Sequence, residues 1–206
     1  MIRAKVDVRK NEIAVNINAS ELLSARRYSI EGFAEIIREL HHYDSRLQFV
    51  LVGSASERDY VEQLIQLLKD VPVKNRAGQF SLEELANEFT VAALVLTGDS
   101  MALHMAAYLG VPVVALWGPT QPGHFGYLQM KNIHSVSLNL SCAPCFIHPA
   151  SRPAEYCKGR IDCLSQLRSY QVSEVCKEVL KNNLSEREVS IPGKNHLKFK
   201  PKFAIE

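Results

Sequence analysis

Asp99, Ser100, His104 and Thr120 are residue types that can hold a polar ligand, and they fall in one short segment of the chain. A carboxylate accepts hydrogen bonds from hydroxyls, a serine or threonine hydroxyl bonds a phosphate or sugar oxygen, and an imidazole can donate or accept. Ser100 and His104 are four residues apart, so on a helix they share a face. A carboxylate aimed at an anion would repel it, so Asp99 suits a ligand's hydroxyls. Each residue also has a plainer role. Asp99 can cap a helix, His104 can be a satisfied core histidine, and Thr120 can belong to an ordinary Gly118-Pro119-Thr120 turn.

The surrounding elements place these side chains. Val91 to Leu96 and Val113 to Trp117 are continuous apolar runs, the form taken by strands buried on both faces. Between them Thr97-Gly98-Asp99-Ser100 breaks the pattern. Met101 to Leu109 then resumes it at helical spacing, Gly110 ends the helix and Pro112 prevents its continuation. The turn therefore lies at the carboxyl end of a parallel strand, where open α/β sheets bind ligands, and at a helix N-terminus, which favours an anion. In that first helical turn the dipole suits a neutral His104 better than an imidazolium.

Further apolar runs at Ile13 to Ile17 and Leu47 to Val52 alternate with helical patterns. These are Ile30 to Leu40 capped by Ser29, Ser56 to Leu68, a Ser81–Glu84 capping box leading to Phe89, and Val172 to Leu184. Strand and helix in alternation predict an α/β class, a Rossmann-like doubly wound parallel sheet. We expect one domain over residues 1–185 and a solvated basic tail over 186–206, where Lys194, Lys198, Lys200 and Lys202 could meet an anionic surface.

Composition narrows the function classes. Of the 206 residues 47% are hydrophobic and 22% charged, with a formal net charge of +2, which gives no reason to expect a nucleic-acid partner. No run reaches the roughly 18 apolar residues of a membrane helix, and the amino terminus lacks a signal-peptide core. A cytoplasmic protein is expected, with peripheral contact at the inner membrane face left open. Four of the five cysteines, Cys142, Cys145, Cys157 and Cys163, fall in one span. Cys142-x-x-Cys145 has the spacing of a zinc half-site but the other two are not a tight pair, so a metal module stands against reduced structural thiols. Cys176 reads as core.

Thr97 to Tyr127, TGDSMALHMAAYLGVPVVALWGPTQPGHFGY, resembles the family 9 glycosyltransferases, best known for the ADP-heptose:lipopolysaccharide heptosyltransferases of Gram-negative bacteria. The family pattern is an Asp-Ser/Thr-Gly-x-x-His helix start, a small-residue helix, Gly-x-Pro, a strand and Gly-Pro-Thr-x-Pro. Met101 stands where the family usually has glycine. Weaker similarity covers Ile13 to Ser20, Arg26-Arg27-Tyr28, Leu51 to Glu57 and Cys-Ala-Pro-Cys.

The resemblance implies the C-terminal, nucleotide-sugar-binding half of a GT-B glycosyltransferase. Its donor would be a nucleotide-diphosphate sugar, an ADP-sugar favoured, its acceptor a lipopolysaccharide-type glycan or glycolipid, and it would need no metal or other cofactor. The substrate-binding set so implied is Ser20, Arg26, Arg27, Glu57, Asp99, Ser100, Met101, His104 and Thr120. The Asn18-Ala19-Ser20 loop would meet the diphosphate, and Arg26 or Arg27 would grip phosphate oxygens. Glu57 would hold a ribose, or else serve as a first-turn helix acid. Met1 to Lys10 leads directly into the first strand, so the chain reads as a fragment or truncated relative, its acceptor domain separate or missing and the catalytic base with it. Alone it is expected to bind a donor without turnover. A non-catalytic nucleotide or nucleotide-sugar binding module is the alternative.

Overall fold

Apolar runs buried on both faces belong in the middle of a parallel sheet, and the computed structural model places them there; it describes residues 2–19, 21–145, 160–182 and 186–191. The strands are β1 (Ile2–Asp7), β2 (Arg9–Asn16), β3 (Gln48–Val52), β4 (Val73–Asn75), β5 (Ala92–Gly98), β6 (Val113–Leu116), β7 (Ile133–Val136) and β8 (Glu186–Ile191). Six of them form one sheet in the order β4-β3-β2-β5-β6-β7, and every neighbouring pair is parallel. All seven residues of β5, the most central apolar run, are buried.

Helices cover both faces. On one lie α1 (Ile30–Tyr43), α2 (Arg58–Leu67) and α6 (Ser169–Lys181), whose Phe33, Ile36, Leu64 and Val172 pack on Ile13, Val15 and Phe49. On the other lie α3 (Leu82–Val91) and α4 (Met101–Leu109), with Phe89, Leu103 and Ala106 against Val50, Val95 and Trp117. A short α5 (Asp162–Ser165) precedes α6. Each large side chain so buried contributes about 1.5 to 3 kcal/mol. Among the described residues no helix is long and apolar enough to cross a membrane.

The chain runs outward from β2 through β3 to β4, then returns through α3 to β5 and proceeds the other way. Strand order thus reverses between β2 and β5. In open α/β sheets the crevice outside the carboxyl ends at such a point is where ligands bind.

Two segments differ from the expectations. Glu186–Ile191 is a strand, paired antiparallel with Ile2–Asp7 in the register Val6↔Arg187 and Ala4↔Val189. Val6 and Val189 are buried in the α3–α4 core, and the Arg187 guanidinium donates to Ala92 O (3.0 Å) and Ala93 O (3.2 Å). Burial brings that guanidinium down to about 10. Residues 186–191 are therefore part of the domain, and the cluster from Lys194 onward lies outside the described residues. Both strands bury one face only, so charged residues alternate with apolar ones and no apolar run marks them.

Close packing fixes the start of α1. Tyr28 donates its hydroxyl to Leu167 O (2.8 Å), and a Cβ on Gly32 would lie 2.3 Å from the Tyr28 ring. Helix propensity alone would make Gly32→Ala stabilising by about 1 kcal/mol. The ring contact reverses that sign, and urea unfolding of Gly32→Ala should show a loss of about 1 to 3 kcal/mol; a gain would contradict this packing.

Candidate functional site

Polar residues gather where β2 and β5 end. Asn16, at the end of β2, is buried, and its amide nitrogen lies 2.9 Å from Ser100 Oγ, 3.1 Å from Thr97 Oγ1 and 3.1 Å from Asn18 O. Asn18 donates to Asn16 Oδ1 (3.1 Å) and to Val52 O (3.1 Å). One network thus ties together the carboxyl ends of β2, β3 and β5. The signal for Asn16 was an amide interrupting an apolar run, where a satisfied polar side chain is the rule.

Ser100, not Asp99, occupies the N-cap of α4, with extended backbone (φ −151°, ψ 174°). Its hydroxyl turns sideways to Asn16 and Thr97 and makes no capping bond to its own helix. The first-turn amides of α4 therefore keep no side-chain partner, the state in which a helix start with its positive dipole end receives an anion. Met101 is half exposed at 52% and leaves this end of the helix open to solvent.

Asp99 is 2% exposed, and its carboxylate is divided. Oδ2 accepts from the Thr120 hydroxyl (2.7 Å) and pairs with Arg26 Nη1 (3.1 Å). Oδ1 is buried without a hydrogen-bond partner, 3.8 Å from His104 Nε2. A buried acceptor in that state costs about 1 to 3 kcal/mol, so Oδ1 is where a donated hydrogen bond would be most strongly held. The Arg26 charge offsets that of Asp99, so the crevice does not repel an anion and the helix amides set its potential.

The two adjacent arginines part ways. Arg26 turns inward to Asp99, whereas Arg27 donates from Nε (3.1 Å) and Nη2 (2.8 Å) to Ala19 O and lies over the Tyr60 ring at 4.6 Å. Glu57 accepts from the amide (2.8 Å) and hydroxyl (2.9 Å) of Ser54 in the turn after β3. His104 is 40% exposed in its side chain, with Nδ1 2.6 Å from Tyr127 Oη and its ring centroid 5.1 Å from that of Phe125. Arg26, Asp99, Ser100, His104 and Thr120 are thus brought together, Arg27 and Glu57 serve their own loops, and Ser20 lies outside the described residues.

Other features fall away from this crevice. An open groove of about 1260 Å³ includes Arg9, Glu12, Lys74 and Glu88, near the opposite end of β2. Arg9 there pairs with Glu12 (2.6 Å) and Glu88 (3.2 Å), and Lys74 donates to the Gln48 side-chain oxygen (2.9 Å). The Cys-x-x-Cys segment packs on the Thr120 loop through Cys145 N to Pro119 O (3.0 Å). Cys157 lies outside the described residues, and among the described residues no three His, Cys, Asp or Glu side chains are grouped to hold a metal. Burial pushes the Cys176 thiol well above its ordinary range, which fits a core role.

This geometry predicts that Arg26→Ala and Asp99→Ala couple in a double-mutant unfolding cycle by about 1 to 3 kcal/mol, whereas Arg27→Ala and Asp99→Ala add within about 0.5 kcal/mol. Equal coupling in the two cycles would contradict the assignment of Arg26 as the partner of Asp99.

Residues 2–154 match the model of "Glycosyltransferase family 9 (heptosyltransferase)". The lipooligosaccharide heptosyltransferase 2 of Campylobacter jejuni is 28% identical over 162 residues, which is 78% of this chain and 48% of the relative. The chain therefore spans about half the length of that curated relative. The solved structure of Escherichia coli ADP-heptose lps heptosyltransferase II superposes with a TM-score of 0.66 at 23% identity, covering 83% of this chain and 46% of that one. Escherichia coli heptosyltransferase WaaC, solved with ADP-2-deoxy-2-fluoro heptose, superposes with a TM-score of 0.57 at 22% identity, covering 82% and 43%. With the family model spanning most of its length, and a fold shared with these solved structures, the chain belongs to glycosyltransferase family 9.

Proposed function

We propose that this chain is the donor-binding half of a sugar-transfer reaction and holds a nucleoside-diphosphate sugar in the crevice between β2 and β5. The observation that carries the reading is the uncapped start of α4 beside a buried Asp99 whose Oδ1 has no partner. The diphosphate lies against the α4 amides and Ser100, near Arg26, and Asp99 Oδ1 accepts from a sugar hydroxyl. On transfer, the bond between the anomeric carbon and the phosphate oxygen breaks and negative charge collects on the departing diphosphate. Amides fixed in advance at the helix start stabilise that charge as it develops. No metal is required for this.

An ADP-linked sugar, heptose foremost, is the donor we favour, because the structurally similar heptosyltransferase WaaC was solved with ADP-2-deoxy-2-fluoro heptose. The acceptor is a lipopolysaccharide-type glycan or glycolipid. Since the chain spans about half of its relatives, we assign the acceptor site and the base that takes the acceptor proton to the remainder of such an enzyme. A non-catalytic nucleotide-sugar module would share the donor site, and addition of an acceptor half separates the two, since only the first then transfers sugar.

Calorimetry with ADP, UDP and GDP tests the donor site. ADP should bind best and ADP-heptose more tightly still. Asp99→Asn should weaken ADP-heptose by about tenfold, the worth of one charge-assisted hydrogen bond, with a smaller effect on ADP. Arg26→Ala should weaken both. Affinities unchanged by either substitution would refute the assignment.

A further inference from the structure

Tyr127 closes the Thr97–Tyr127 motif without a role of its own, yet its hydroxyl lies 2.6 Å from His104 Nδ1. The other ring nitrogen, Nε2, faces Asp99 Oδ1 across 3.8 Å, too far for a direct hydrogen bond. Two neutral tautomers are open to such a ring. If Nδ1 carried the proton, the Nε2 lone pair would face the Asp99 carboxylate, an unfavourable arrangement. If the Tyr127 hydroxyl donates to Nδ1, the Nε2 proton faces that carboxylate instead. Burial and the nearby Asp99 charge raise the Tyr127 phenol above its ordinary range, so it stays a donor. Phe125 packs on the His104 ring at 5.1 Å and limits its rotation.

Building on the donor-site reading above, we infer that Tyr127 is a positioning residue that holds His104 with its proton on Nε2, so that Asp99 Oδ1 and His104 Nε2 offer one acceptor and one donor to the same sugar hydroxyl. An oxygen about 2.8 Å from each atom spans the gap between them. It donates to the carboxylate oxygen that no protein group bonds and accepts from the imidazole. Neither contact is made when the ligand is ADP, which lacks the transferred sugar.

Long-range proton–nitrogen correlation spectra of the nitrogen-15-labelled chain, recorded without ligand, test the tautomer. His104 should show an unprotonated Nδ1 and a protonated Nε2, and Tyr127→Phe should move both nitrogens toward the average of the two tautomers. In calorimetry, Tyr127→Phe should weaken an ADP-sugar about threefold to tenfold and leave ADP unchanged. In a His104→Gln background, whose side-chain amide donates without a tautomer to set, Tyr127→Phe should cost nothing further. A wild-type proton on Nδ1, a tautomer indifferent to Tyr127→Phe, or equal losses for ADP and the ADP-sugar would overturn the inference. Absence of all nucleotide binding would overturn the donor-site reading, and the ligand-free spectra would still decide whether Tyr127 sets the tautomer.

Discussion

A carboxylate buried where the sheet reverses direction is the constraint on which the rest of the site depends. Burying a carboxylate without partners costs several kcal/mol, so the fold brings partners to Asp99. Arg26 arrives from the loop after β2, and Thr120 from the loop after β6. Three chain segments far apart in sequence must therefore be in register before the carboxylate is satisfied. Because both partners use Oδ2, the other oxygen is left buried without a hydrogen-bond partner.

A second constraint acts on the helix beside it. The hydroxyl that would ordinarily cap α4 is diverted into the buried amide network of Asn16 and Thr97. The diversion helps fix the β2 and β5 ends to one another and leaves the helix amides without a cap from Ser100. A neutral side-chain pair, a positive helix end and one unsatisfied acceptor stand side by side. That combination suits a molecule with an anionic part and a hydroxylated part, which is the chemistry of a nucleotide sugar.

Much of this was legible from residue order because burial on both faces writes itself as an apolar run. The runs at Val91 to Leu96 and Val113 to Trp117 supply the interior strands β5 and β6, and Met101–Leu109 is helical over the whole predicted span. The segments that escaped reading bury one face or are very short. In β1, Arg3, Lys5 and Asp7 alternate with Ala4 and Val6, and β4 is three residues long. The site was legible in position more than in geometry. Nothing in the Arg26-Arg27 pair says which side chain turns inward, because that depends on the short 3₁₀ turn Glu21–Arg26 that carries them. The choice between cap and ligand contact for Asp99 depended on where α4 begins, a matter of one residue. Asn16 was hidden inside the apolar run it interrupts, and Tyr127 matters only through the ring nitrogen it meets.

Mapping ADP onto the backbone tests the central claim most directly. In amide spectra of the labelled chain titrated with ADP, the largest shifts should fall on Ser100 to His104 and on the residues around Arg26. Saturable shifts concentrated instead at Arg9, Lys74 and Glu88, in the groove near the opposite end of β2, would contradict it.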